Sequence, residues 1–190
     1  MDIQIKPLDA GLLGDFLGFF DNDAFRDNPD WSECYCQFYH YAASDPRWGE
    51  MTKDENRAQA AENVRAGVTR GYLAYMDGKV VGWCNAGPKA GYARLMGDED
   101  LRGDEDEATS SVVCFVVDAG HRRRGVAQAL LRRACEDAKA RGFRYMEAYP
   151  RPAANGDADH YHGPPALFAK EGFTLRRDLG KAHIVRKELT

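Results

Sequence analysis

No stretch of the 190-residue chain approaches the roughly 20 consecutive apolar residues that a membrane helix needs. Basic residues are not in surplus: 26 Lys and Arg stand against 30 Asp and Glu, a formal net charge of −4. A nucleic-acid or membrane-surface protein is therefore not expected, because its footprint is a dominant basic face. The start, Met1-Asp2-Ile3-Gln4-Ile5, lacks the basic residues and apolar stretch of a signal peptide, and a cytoplasmic chain is expected. Cysteines are few and odd in number, at five. Cys84, Cys114 and Cys135 fall in apolar runs, which reads as buried free thiols in a reducing compartment. Cys34 and Cys36, near His40, are too closely spaced for a usual zinc pair, and no second pair follows, so no metal is expected.

What is present describes a globular protein: 44% hydrophobic and 29% charged residues. The length suits a single domain spanning 1–190, large enough to bury a core without staples. Ile3 to Lys6 alternates like a strand. Asp9 then opens a helix whose apolar face holds Leu12, Leu13, Phe16, Leu17 and Phe20. Residues 21–50 are irregular and crowded with aromatics, among them Trp31, Tyr35, Phe38, Tyr39 and Trp48. Thr52 and Glu55 form a capping box for a helix ending near Gly67. Tyr72–Met76 and Lys79–Asn85 are strands joined by Asp77-Gly78, a hairpin signal.

Residues 97–107 form an acidic loop, and Ser111–Asp118 a buried central strand. A helix follows over Gly125–Ala140, then a strand over Phe143–Tyr149. Residues 150–164 are a long loop rich in Pro and Gly. A short helix at Pro165–Lys170 precedes two last strands, near Phe173–Arg176 and Ala182–Lys187. The order is β-α-α-β-β-β-α-β-α-β-β. The βαβ unit from Ser111 makes its two strands parallel, whereas the hairpin is antiparallel. The fold class is thus α/β with a mixed, α+β-like sheet covered by helices on both faces.

The informative stretch runs from Val116 through Asp118, Ala119, Gly120, His121, Arg122, Arg123, Arg124 and Gly125 to Ala127. A buried strand enters a turn and then a helix N-terminus, where free N–H groups and the positive dipole end lie. Three arginines there are electrostatically misplaced unless an anion such as a pyrophosphate joins them. Gly125 lets a ligand approach the backbone closely, and Ala127 keeps the next contact small.

Arg122-x-x-Gly125-x-Ala127, set between strand and helix, resembles the acyl-CoA motif of the GNAT superfamily of N-acetyltransferases. Leu167-Phe168-Ala169-Lys170-Glu171-Gly172-Phe173 resembles the family's late helix ending in Gly-Phe. Trp31, Cys34, Tyr35 and Cys36, with Gly82-Trp83-Cys84, resemble an uncharacterised bacterial branch. The usual proline before the arginines is replaced at Val117-Asp118-Ala119. The resemblance implies a central sheet splayed between the fourth and fifth strands, with acetyl-CoA as co-substrate. Its pantetheine arm would pair with Phe115, Val116 and Val117, and its pyrophosphate would lie on Arg122, Arg123, Arg124, Gly125, Val126 and Ala127. An N–H near Val117 would polarise the thioester carbonyl.

Many members carry a tyrosine acid four residues before the Gly of Gly-Phe. Here that position, also expected against the cofactor, is Phe168. The missing acid is tolerable, because a thiol of pKa about 8.5 leaves as thiolate at a cost of roughly 2 kcal/mol at pH 7. Tyr161 and Tyr149 are candidate replacements, and Glu147 is a candidate base on a strand where an acid ordinarily faces solvent. The acids of 98–107 and the aromatics of 31–48 suggest an electrostatic funnel and a cation–π wall for a small cationic amine. The expected activity is therefore acetyl transfer from acetyl-CoA to a small-molecule amine, by a monomer or homodimer. Rival readings are a non-catalytic acyl-CoA-binding module and an acetyltransferase of protein lysines or N-termini.

Overall fold

Strand β2 (Gly71–Met76) is buried along its whole length, and its side chains separate by parity. Tyr72, Ala74 and Met76 join one core cluster, while Leu73 and Tyr75 join another. This is the two-residue period of a strand covered on both faces. The computed structural model describes residues 2–153 and 157–190. Met1 and residues 154–156 of the expected 150–164 loop lie outside them.

Seven strands form one sheet in the order β1-β2-β3-β4-β5-β7-β6. They are β1 (Gln4–Pro7), β2, β3 (Lys79–Pro88), β4 (Thr109–Val117), β5 (Tyr145–Ala148), β6 (Thr174–Asp178) and β7 (His183–Glu188). Only β4 and β5 are parallel neighbours, so the sheet is mixed. The helices are α1 (Leu13–Asn22), α2 (Arg47–Glu50), α3 (Lys53–Arg65), α4 (Ala93–Met96), α5 (Val126–Ala140) and α6 (Pro165–Lys170). The sequence gives no sign of α2 and α4, because a single turn of four residues is too short to show a period.

Local chemistry sets the helix ends. The Asp9 carboxylate accepts from the Gly11 and Leu12 N–H groups, opening a 3-10 turn that leads into α1. Thr52 and Glu55 cap α3 reciprocally. Helix α5 lays Val126, Leu130, Leu131, Ala134, Cys135 and Ala138 on one face of the sheet. Burial of Leu130 and Leu131 contributes about 1.5–3 kcal/mol each. A Cβ at Gly82 of β3 would stand 2.7 Å from Val126 Cγ1, so the bare backbone there admits the first turn of α5 onto the sheet. Helices α1 and α3 cover the other face through Phe16, Phe19, Phe20, Ala60 and Val64.

Two features of β4 position the site. Its register with β3 passes from Asn85↔Cys114 to Ala86↔Val112, so Val113 is an extra, bulged residue. Its pairing with β5 runs only from Thr109↔Tyr145 to Val112↔Ala148, although β4 continues to Val117. The two strands therefore part at the bulge.

The paired half is closed by buried charge. Lys89, 1% exposed, lies 2.7 Å from Glu147 Oε2 and 2.8 Å from Asp106 Oδ1. Arg186 holds Glu147 Oε1 through Nη2 at 2.7 Å and Nε at 3.0 Å, and Glu105 Oε2 at 2.6 Å. Glu147 is thus neither solvent-facing nor an available base: it is 2% exposed, and both oxygens are bound to cations. The acidic loop is likewise not wholly solvated, since Asp106 is buried in this cluster.

Removing one member of such a cluster strands the others. Lys89→Met should lower unfolding stability by about 3–5 kcal/mol, read from the urea midpoint. Adding Asp106→Leu to that variant should recover part of the loss, because the stranded carboxylate is removed with its partner.

Candidate functional site

Where β4 leaves β5, a cleft of about 1300 Å³ opens. One end of it is built by the turn from β4 into α5. The His121 N–H donates to the Asp118 carbonyl at 2.8 Å, and His121 Nδ1 lies 2.6 Å from Asp118 Oδ2. This pair fixes the turn where a proline is absent. Arg123 (φ 60°) and Gly125 (φ 85°) are both left-handed. Gly125 is the N-cap of α5 and brings no side chain to the first-turn N–H groups, which lack partners within the helix. A Cβ at Gly125 meets nothing within 4 Å, so the space over the cap is open.

Eight of the ten residues expected at the cofactor end line this cleft: Phe115, Val116, Val117, Arg122, Arg123, Gly125, Val126 and Ala127. Arg124 and Phe168 do not. The left-handed step at Arg123 redirects the chain, and Arg124 is exposed outside the lining. Phe168 is fully buried, with ring centroids 6.3 Å from Phe115 and 5.3 Å from Phe173, and it anchors α6 to the core. Arg122 donates through Nη2 to Asp27 Oδ1 at 3.0 Å and through Nε to the Val117 carbonyl at 3.2 Å. That guanidinium holds the Asp27 carboxyl below the usual carboxylate range.

The other end is walled by aromatics of the irregular segment. Trp31 meets Tyr161 edge-on at 5.2 Å, and Phe38 meets Trp48 at 5.4 Å. Asp30 and Glu33 lie in the lining with them. The acids of 98–107, expected to draw a cation, are absent from the lining, and Glu105 and Asp106 are committed to Arg186 and Lys89. Trp31, Cys34 and Cys36 belong to the cleft, together with Cys114 of β4. Among the described residues no three His, Cys, Asp or Glu side chains converge as metal ligands.

Of the candidate catalytic residues, Tyr161 lines the cleft and accepts from Arg151 Nη2 at 3.0 Å. Glu147 and Tyr149 do not line it. Tyr149 is buried, with its hydroxyl 2.9 Å from Ser111 Oγ and 3.3 Å from Glu147 Oε2 on the paired side of the sheet. The sequence reading missed a second cleft hydroxyl, that of Tyr39. It lies 3.1 Å from His162 Nδ1, which is 3.2 Å from the carbonyl of the bulged Val113. Burial pushes Tyr39 well above the usual phenol range and pushes His162 down to about 3, so both are neutral at pH 7. His162 stands 123 residues along the chain from Tyr39, and no local spacing could have joined them.

The acetyltransferase (GNAT) family model matches residues 29–163. No curated protein matches the chain in sequence. Among solved structures, an N-acetyltransferase from Staphylococcus aureus Mu50 aligns with a TM-score of 0.59 at 18% identity, covering 100% of both chains. The PaiA N-acetyltransferase of Thermoplasma acidophilum, in complex with coenzyme A, aligns at 0.56 and 12% identity over 99% of both chains. YncA of Salmonella typhimurium, a putative acetyltransferase with its cofactor acetyl-CoA, aligns at 0.56 and 15% identity, covering 99% of this chain and 94% of that one.

A histidine whose folded-state pKa is depressed stabilises the fold in its neutral form. The His162 contribution is full above the unfolded value near 6.5 and is lost as pH falls toward about 3. The loss approaches about 1.4 kcal/mol per pH unit within that window. Denaturation of His162→Gln, which keeps a donor for Val113, should accordingly show a flatter fall in stability between pH 6.5 and 4 than the unaltered chain.

Proposed function

Because the chain belongs to the GNAT family of acetyltransferases, we propose that it transfers the acetyl group of acetyl-CoA to the primary amine of a small cationic molecule. The observation that carries this reading is the division of one cleft into two chemical ends. Arg122, Arg123 and the α5 N-terminus make one end anion-seeking; Asp30, Glu33 and the aromatic rings make the other cation-seeking. Two structurally similar proteins are described with coenzyme A or acetyl-CoA, which supports the choice of donor.

The residues present fit that donor. Arg122, Arg123 and the N–H groups of Gly125 to Ala127 are the pyrophosphate holders, over a cap with open space. The β4 edge from Phe115 to Val117, unpaired with β5, offers backbone groups to an extended arm as another strand would. When bound, acetyl-CoA supplies an activated thioester. An alkyl ammonium of pKa near 10.4 is mostly protonated at pH 7, and the carboxylates of Asp30 and Glu33 attract it in that form. The Tyr39 hydroxyl keeps its proton, and with Tyr161 it brings a phenol to the cleft. The same reading makes the chain one domain acting in the cytoplasm, as a monomer or homodimer.

Phe168 favours a second reading, a non-catalytic acyl-CoA-binding module, because this buried ring brings no hydroxyl. Turnover against a panel of amines separates the two readings.

Acetyl-CoA should raise the melting temperature by mass action on the folded state, and Gly125→Glu should abolish that rise by placing a negative side chain at the cap. An unmoved melting curve at millimolar acetyl-CoA overturns the donor assignment. With the best amine of the panel, Asp30→Asn combined with Glu33→Gln should raise KM about threefold to tenfold at low salt and less at high salt.

A further inference from the structure

Helix α3 buries four residues: Asn56, Ala60, Ala61 and Val64. Their spacing is that of a helix's inward stripe, and the last three belong to the core cluster of Phe16 and Trp83. The first is an amide. Asn56 is 3% exposed, and its Oδ1 has no hydrogen-bond partner among the described residues. Asparagine is a weak helix former, and a buried acceptor without a donor costs stability. Both penalties fall on one residue, and that residue lines the cleft.

The position of this amide follows from how α3 is fastened to the irregular segment. Lys53 Nζ lies 3.3 Å from Ser32 Oγ, Arg57 Nη2 lies 2.9 Å from Asp21 Oδ2, and Asn63 Nδ2 lies 2.7 Å from Gln37 Oε1. Ser32 stands between Trp31 and Glu33, so the first turn of α3 is set against the stretch that carries Asp30, Trp31 and Glu33. Asn56 therefore belongs to the cation-seeking end of the cleft. A half-turn of its side chain exchanges Oδ1 and Nδ2 without moving the helix, so the acceptor is not confined to its buried position.

We propose that Asn56, with Asp30 and Glu33, anchors a second ammonium of the acceptor, so that the substrate carries two amino groups and is acetylated on the one that is not anchored. This deepens the acetyl-transfer reading and rests on it. An ammonium brings N–H donors and no acceptor, and so suits an amide oxygen that shares its end of the cleft with two carboxylates. The same surroundings disqualify that nitrogen as the nucleophile. Nearby carboxylates favour its charged form, and a protonated amine has no lone pair with which to attack a thioester. The attacking nitrogen is a different one, nearer the β4 edge from Phe115 to Val117 that faces the thioester arm in the acyl-CoA reading. Trp31, Phe38, Trp48 and Met51, in the same lining, offer apolar surface to the methylenes that join the two nitrogens. A monoamine has only one nitrogen, which the anchor holds as an ammonium away from the thioester.

The transfer balances without a further reactant. The unanchored amine, neutral after giving one proton to solvent, forms a bond to the acetyl carbonyl carbon. The bond from that carbon to the CoA sulfur breaks, leaving its electron pair on the sulfur. The surplus proton of the new amide nitrogen neutralises that thiolate. The anchored nitrogen keeps its protons throughout.

The test measures kcat/KM at saturating acetyl-CoA for butylamine, pentylamine and hexylamine, and for the terminal diamine of each. In at least one pair the diamine is expected to exceed its monoamine by about tenfold or more, the worth of one hydrogen bond to a charged group. Asn56→Leu, an apolar change of similar volume, should cut that preference about fivefold to tenfold. It should leave the rise in melting temperature caused by acetyl-CoA unchanged, and leave the ligand-free chain as stable or more so. A merely structural asparagine predicts the reverse, a less stable chain with the diamine preference intact. The pairs are compared on the unaltered chain, so the result stands even if the variant fails to fold. Stabilisation by acetyl-CoA with no diamine acetylated, equal kcat/KM in every pair, or an undiminished preference in Asn56→Leu overturns this inference and leaves the acyl-CoA reading standing. Absence of both stabilisation and acetylation overturns the two together.

Discussion

Strand β4 is hydrogen-bonded to β5 over its first four residues only, and the rest of the molecule is arranged around that parting. Backbone groups taken out of a sheet must find partners elsewhere. The structure meets part of this demand with His162, whose Nδ1 reaches the carbonyl of Val113 where the bulge begins. Burial keeps that imidazole neutral, so it serves as a donor at no cost in buried charge. Beyond it, from Phe115 to Val117, the strand edge faces the cleft. A bare edge inside a fold is a liability unless something extended covers it. The bulge also changes the parity of β4. Val112 and Phe115 fall in one core cluster, though they are three residues apart.

The sheet can afford to part on one side because it is fastened on the other. Lys89 and Arg186 gather Glu147, Asp106 and Glu105 where β4, β5 and β7 are still paired. Lys89, Asp106 and Glu147 are buried deeply enough that their charges are stable only as a complete set. Their enclosure also decides the electrostatics of the cleft. Glu105, Asp106 and Glu147 are paired with cations outside the cleft lining, and Asp30 and Glu33 stand in that lining among the aromatics.

Much of this was legible in the sequence wherever the cause is local. The hairpin, the α3 capping box, the parallel βαβ unit and the arginine–glycine turn each rest on residues a few positions apart. Glu147 was misread because its partners are Lys89 and Arg186, 58 and 39 positions away, and no strand pattern announces a buried ion pair. Arg124 was expected beside Arg122 and Arg123; the left-handed Arg123 interrupts that run, and Arg124 is not among the residues lining the cleft. Cys36 could be placed among aromatics from sequence alone; that its sulfur meets Trp83, 47 positions on, could not.

The cleft's two ends are not independent, and the reason is the Arg122–Asp27 pair. In isolation the anion site would present an uncompensated guanidinium, and the aromatic segment would present one more carboxylate. The pair cancels both and ties residues 21–50 to the turn that begins α5. Its side chains are 28% and 42% exposed, so the attachment is worth between nothing and about 1 kcal/mol. That is too weak to hold the arginine against a pyrophosphate, which adds backbone N–H donors and a greater charge to the same contact. The same guanidinium depresses the Asp27 carboxyl. On the proposed reading, a weak, exposed ion pair suits an anion site: it offsets the positive charge at a helix N-terminus, and a pyrophosphate would displace it at little cost.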